Sequence, residues 1–161
     1  MNQIAKLLPL ANVLLEPEAG SKKRVFERVG LLFENNHNIG RSQVFDSLFA
    51  REKLGSTALG QGVAIPHGRI KGMKDAVGAL VRMDQPIPFD APDGAPVKLI
   101  FVLLVPERAT DLHLQILSEL AQMFSDRDFR QQLTAEPDAQ SLHRVFSMWQ
   151  PHAPDQRRAT A

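Results

Sequence analysis

Apolar residues recur along this chain at two spacings. After Gly20, Val25, Val29 and Leu32 return at helical spacing, with Phe26 and Phe33 widening the stripe. This predicts a helix in "SKKRVFERVGLLFENN" with Ser21 as its N-cap. A second stripe, Val44, Phe45, Leu48 and Phe49, predicts a helix in "SQVFDSLFAREKLGS", capped by Ser42 and stopped by Gly55. The rhythm then changes. "GVAI" reads as a short strand, and in "DAVGALVRM" Val77, Ala79, Val81 and Met83 share one face of another. "QPIPFDAPDGAP" carries four prolines and a Pro-Asp-Gly turn signal, so a loop or broken hairpin is expected. "VKLIFVLLVP" is a continuous apolar run after Lys98, as in a strand covered on both faces. "TDLHLQILSELAQMF" returns to helical spacing, with Leu114, Leu117, Leu120, Ala121 and Phe124 as its stripe and Thr110 or Asp111 as its cap. Two short helices, "DRDFRQQLTA" and "DAQSLHRVFSMW", follow with Pro137 between them. Interleaved helices and strands, one strand wholly apolar, predict an α/β fold: a mixed β-sheet flanked by α-helices in a single domain. That domain is expected over residues 1–150, with 151–161 as a mobile polar tail.

Charge adds little at the level of the whole chain. The 161 residues carry a formal net charge of +1, so no global field points to nucleic acid or a membrane surface. One local feature stands out. Lys22, Lys23 and Arg24 place positive charge at a helix N-terminus, where the dipole disfavours it. They read as a solvated face or as a patch for an acidic partner. No cysteine is present, which excludes disulfides, thiolate metal sites and cysteine nucleophiles, and suits a reducing compartment. No apolar run approaches the roughly 20 residues of a membrane helix. The first 20 residues lack the basic front and long apolar core of a signal peptide, so a cytoplasmic location and no membrane insertion are expected.

Candidate chemistry rests on histidine. Five are present, never as H-x-x-H or H-E-x-x-H, so no metal is expected. His37, in "NNHNIG", His143 and His152 read as surface residues. His67 differs. Pro66 fixes the backbone before it and holds Ile65 extended, and Gly68 removes side-chain bulk on the far side and permits a sharp turn. The ring should stand exposed at a strand end, where α/β sheets carry their chemistry. Gly60 and Gly62 thin the approach, as if another backbone came close. A structural turn histidine remains the alternative. His113 sits in the first turn of a helix that follows the apolar strand. The positive helix end should keep it neutral, and a cap-region role is the alternative. Arg51 lies near the end of the second helix, on the Val44 edge of its stripe. It offers either a phosphate-binding fork or an ordinary helix C-terminal charge paired with Glu52 or Asp46. A neutral imidazole with donors around it suits phosphoryl transfer. No P-loop or kinase glycine loop is present, so a phosphorylated protein is a better donor than a nucleotide.

"REKLGSTALGQGVAIPHGR", "PIPFDAPDGAPVKLIFVLLVP" and "HLQILSELA" together resemble the IIA components of the bacterial phosphoenolpyruvate-dependent phosphotransferase system, in the fructose/mannitol class. The resemblance runs from about Ser21 to Trp149. It implies that His67 is phosphorylated by an HPr-like phosphocarrier (of the NPr type), on a ring nitrogen it leaves unassigned. It also implies that His113 assists, that Arg51 stabilises the phosphoryl group, and that no cofactor takes part. "REKLGST" and "IPHGR", and the lack of a IIB-like cysteine segment, look more like the nitrogen-regulatory branch, whose phosphorylation state selects regulatory target proteins. A sugar-permease IIA passing phosphate to a IIB domain is the nearest alternative, and a phosphate-independent binding module is another. Gln115 stands where some relatives have a further histidine.

Overall fold

The computed structural model describes residues 3–15, 19–108 and 110–151. Two short 3-10 turns, Gln3–Leu7 and Leu10–Asn12, lead into strand β1 (Val13–Leu15). The chain continues through α1 (Lys22–His37), α2 (Arg41–Lys53), β2 (Ala58–Gly60), β3 (Val63–Ala64), β4 (His67–Ile70), β5 (Val77–Ile87) and β6 (Val97–Pro106). Three helices close it: α3 (Thr110–Ser125), α4 (Arg127–Ala135) and α5 (Ala139–Met148). The strands form one six-stranded mixed sheet in the order β1-β5-β6-β3-β2, with β4 continuing beside β6. β5 and β6 pair antiparallel, whereas β1–β5, β3–β6 and β4–β6 are parallel. The expected class, a mixed sheet flanked by helices in one domain, is the one observed.

Alternation along the strands sorts side chains into two cores. Val77, Ala79, Val81 and Met83 of β5 face α1 and α2 and pack with Phe26, Phe33, Val44 and Leu48. Leu80 of β5 faces the other way, with Phe101 and Leu103 of β6, against α3, α4 and α5. β6 is therefore buried on both faces, which explains its unbroken apolar run from Leu99 to Pro106.

Several boundaries differ from the periodicity, each for a physical reason. Ser42 does not cap α2. The helix starts two residues earlier than that cap implies, at Arg41 after Gly40, and the Glu34 carboxylate of α1 accepts from the Arg41 N–H at 2.9 Å. The Ser21 cap is as expected, its hydroxyl accepting from the Arg24 N–H at 3.2 Å. β5 runs through Pro86 to Ile87, so the proline-rich loop is shorter than expected; the ladder shifts register between Arg82 and Ile87, which accommodates the proline. In α3 the buried stripe is His113, Ile116, Leu120, Met123 and Phe124, and Leu114 is 62 % exposed. The stripe is rotated because the helix turns His113 inward. The cap expected at Thr110 or Asp111 turns on the start of α3, where residue 109 and the Thr110 side chain lie outside the described residues. So do His152 and all but Pro151 of the expected tail.

His37 and His143 are only partly exposed, and each ring has a partner. His37 ends α1 half-buried, its Nε2 accepting from the Asn12 amide at 2.7 Å. His143 Nε2 meets the Leu8 carbonyl at 2.7 Å. Both fasten the amino-terminal segment, to which the sequence assigned nothing. Lys22 is neither a solvated cation nor part of an open patch. Its ammonium reaches the Glu52 carboxylate at 3.0 Å and lies 4.8 Å from the centre of the Phe89 ring. Lys23 and Arg24 remain exposed.

Arg82 is buried in β5 and donates from one guanidinium nitrogen to the carbonyls of Leu133 and Glu136, at 3.0 and 2.6 Å. It thereby closes the carboxyl end of α4 against the sheet. Replacing it by a methionine of similar length would leave those carbonyls without their donor. Arg82→Met should lower stability by about 2–3 kcal/mol, read as a shifted urea midpoint at constant slope. An unshifted midpoint would mean that the end of α4 is held by other means.

Candidate functional site

Gly68 decides how the site is assembled. A Cβ at this position would collide with the Ser47 hydroxyl of α2. The glycine is thus required by close helix–strand packing; the sharp turn expected after His67 does not occur, and the chain continues as β4. The Ser47 hydroxyl donates to the Arg69 carbonyl at 3.0 Å, which locks α2 onto β4. Arg51 lies one helical turn beyond Ser47 on the same face, so this packing carries it beside His67.

His67 is the first residue of β4, paired with Leu103 of β6. It is half-buried rather than exposed. The strand break before it comes from Pro66, which lacks an N–H but whose carbonyl accepts from the Leu103 N–H at 2.9 Å. Gly60 and Gly62, with Gln61 between them, have φ of 93°, 77° and 60°. They build the turn joining β2 to β3; a backbone comes close at Gly62, as expected, the Gly62 carbonyl accepting from the Lys98 and Leu99 N–H groups at 2.9 and 3.0 Å, whereas Gly60 faces the Asp93 carboxylate. The Asp93 carboxylate holds this turn by accepting from the Gln61 N–H at 2.9 Å.

The ring of His67 is oriented by its own backbone. Nδ1 lies 2.9 Å from the Ile65 carbonyl, which can only accept. Nδ1 therefore carries the proton, and Nε2 keeps its lone pair. The Ile65 carbonyl is itself fixed. The Ile65 N–H donates to the Thr57 carbonyl at 3.0 Å. The Thr57 N–H and hydroxyl donate to the two oxygens of Glu52, at 3.0 and 2.6 Å. Glu52, its side chain only 4 % exposed, also takes the Lys22 ion pair. This carboxylate was considered in the sequence only as an ion-pair partner for Arg51, and its role as an anchor was missed. A glutamate at the end of the α2 stripe, eight residues after Val44, is the signal that would have found it.

His113, buried on α3, meets His67 edge to face, with ring centroids 5.0 Å apart and planes at 72°. Its Nε2 is buried and has no hydrogen-bond partner among the described residues. Burial first, then the positive potential of His67, Arg69 and Arg51, pushes its pKa down to about 4. It is neutral at pH 7, as expected, but burial is the leading cause. His67 is also held below the ordinary histidine value, mainly by burial. The Ile65 hydrogen bond opposes that, Arg51 reinforces it and Glu52 opposes it. Arg51 is half-buried and donates to the Gly55 carbonyl at 2.8 Å. It forms no ion pair with Glu52 or Asp46, and one guanidinium edge closing the helix end leaves other donors available. The structure thus places His67, His113 and Arg51 in one site. Arg69, not singled out in the sequence, lies beside them.

A neutral nucleophilic nitrogen, a second buried imidazole and an uncompensated arginine define a centre suited to accepting an anionic group. Comparison with known proteins agrees with this chemistry. Residues 6–148 match the family "Phosphoenolpyruvate-dependent sugar phosphotransferase system, EIIA 2", and the chain belongs to that family. Within it, the chain is 42 % identical over 146 residues to the nitrogen regulatory protein of Pseudomonas aeruginosa, covering 90 % of this chain and 95 % of that one. The structure superposes on that of the nitrogen regulatory protein IIA-Ntr of Neisseria meningitidis with a TM-score of 0.84 at 53 % identity, covering 89 % of this chain and 99 % of the other. Similarity to the fructose-specific EIIA component of Haloferax volcanii is lower, 30 % over 148 residues, covering 91 % and 96 %.

The depressed His113 pKa has a thermodynamic consequence. Between the ordinary value of 6.5 and about 4, an unfolded chain protonates this imidazole and the folded one does not. Stability is therefore complete above the unfolded value and falls as pH drops towards the folded one. Urea midpoints measured across this window should show that limb, and His113→Leu should flatten it. An unchanged limb in the variant would contradict the assignment.

Proposed function

We propose that this chain is a phosphoryl-accepting regulatory protein of the nitrogen-regulatory branch of its family, phosphorylated on His67 at Nε2. The observation that carries this reading is the bond from His67 Nδ1 to the Ile65 carbonyl, which leaves Nε2 as the free nucleophile. The donor is an HPr-like phosphocarrier. As Nε2 bonds to phosphorus, the P–N bond of the donor breaks and its electron pair returns to the donor's imidazole. The proton on Nδ1 stays in place, and the Ile65 carbonyl shares the positive charge that develops on the ring. His113 donates to a phosphoryl oxygen, giving its unpartnered nitrogen a role. Arg51 adds charge-assisted donors from the opposite side. Depressed pKa values keep both imidazoles neutral at pH 7, so the nucleophile is not lost to protonation.

The same site explains how phosphorylation would select partners. Leu112 and Leu114 flank His113 in the sequence of α3 and are 48 % and 62 % exposed. Leu54, just past Arg51, and Leu59 on β2 are exposed as well. Phosphorylation adds about two negative charges among elements that present apolar side chains. A partner docking by apolar contact is released, and one offering arginines is attracted. The regulatory branch is favoured over sugar transport because the relatives named as nitrogen regulators are the more similar. A cytoplasmic site of action follows from a phosphocarrier donor.

Intact-mass measurement after incubation with phosphoenolpyruvate, enzyme I and an HPr-type carrier tests the reading. Wild type should gain one acid-labile phosphate and His67→Ala none. His113→Ala should be phosphorylated about a hundredfold more slowly. A full gain in His67→Ala would overturn the assignment. Ready onward transfer to a sugar-specific IIB domain would favour transport over regulation.

A further inference from the structure

Arg69 is not absorbed by this mechanism, yet its position is well defined. It is two residues beyond His67 on β4, and side chains two apart on a strand share a face. The burial pattern of β4 agrees: Gly68 and Ile70 point inward, while His67 and Arg69 point outward. The backbone of Arg69 is held from two sides, by pairing opposite Val105 of β6 and by the Ser47 hydroxyl on its carbonyl. Its side chain is exposed and forms no ion pair among the described residues. The guanidinium also lies close enough to His113 to act on it electrostatically, ahead of Arg51. A rigid base, an uncompensated charge and a shared face with His67 place this cation at the rim of the histidine pair, with no ion-pair partner among the described residues.

We infer that Arg69 is a second phosphoryl-binding residue, which closes over the phosphate on His67 from the solvent side while Arg51 holds it from α2. The inference rests on the phosphohistidine reading above. Its consequence is specific. Two cations then flank the phosphoryl group, so the dianion is favoured and its second ionisation is depressed. In the phosphorylated form Arg69 is drawn in, and the guanidinium no longer projects towards partners. The rim of the site thus changes from an exposed cation to a neutralised ion pair, and a partner that reads charge near His67 meets two different surfaces.

The test uses phosphoramidate, which phosphorylates histidine without a carrier. The His67 Nε2–P bond forms as the P–N bond of the reagent breaks and ammonia leaves. The phosphohistidine 31P shift is then titrated in wild type, Arg69→Gln and Arg69→Lys. Removing the cation should raise the phosphoryl midpoint by about half a pH unit or more, and lysine should restore much of the difference. His67→Ala identifies the signal. A phosphohistidine signal whose midpoint is the same in wild type and Arg69→Gln overturns the role of Arg69 and leaves the phosphorylation reading intact. Failure of wild type to take up phosphate at His67 overturns both.

Discussion

The site depends on one hydrogen bond, that from the His67 ring to the Ile65 carbonyl two residues back. It fixes which nitrogen carries the proton and which direction the other faces. The bond is short-range, but the geometry behind it is not. Ile65 is held through Thr57 to Glu52, a buried carboxylate at the end of α2 that is neutralised by Lys22 from α1. A charge that would be costly to bury alone is balanced by an ion pair and two hydrogen bonds. Helix, turn and strand are thereby tied into one frame around the imidazole. Gly68 supplies the other half of the frame, because only a residue without Cβ lets α2 seat on β4 and deliver Arg51.

Electrostatics follow from this packing. The ionisable groups near His67 are mostly cationic, and both rings are shielded from water, so both are neutral before any phosphate arrives. The site suits a negative group and keeps groups without a use: His113 Nε2, which has no hydrogen-bond partner among the described residues, and the guanidinium edges not bonded to Gly55. Donors fixed before the reaction need not reorganise during it, which is the usual source of electrostatic catalysis. In the proposed function the same arrangement makes the phosphorylated and unphosphorylated forms differ sharply in surface charge over a small area.

Much of this was legible in the sequence. The apolar run of β6 and the alternation of Val77, Ala79, Val81 and Met83 predicted the sheet, and Pro66-His67-Gly68 marked the site. Three kinds of feature were not legible. The strands β1, β2 and β4 span only three or four residues, too few for a period to register. The stripe of α3 was misread because an apolar count favours Leu114 over His113, whereas the helix buries the histidine for the site and exposes the leucine. Long-range polar contacts were also hidden. Lys22 with Glu52, Asn12 with His37, and Arg82 with the end of α4 join residues 25 to 54 positions apart, and local pattern says nothing of such pairs. Gly68 was legible for its missing side chain, which is what lets α2 approach, whereas the sharp turn it also suggested does not form.

The Ile65 carbonyl assigns the proton of His67 to Nδ1, and in the proposed function Nε2 is left for phosphorus. Long-range 1H–15N correlation of the imidazole, recorded at neutral pH before and after phosphorylation, reads both nitrogens directly. A neutral ring protonated at Nδ1 is expected in the free protein, and phosphorus coupling at Nε2 afterwards. A free ring protonated at Nε2, or phosphorus coupling at Nδ1, would contradict it.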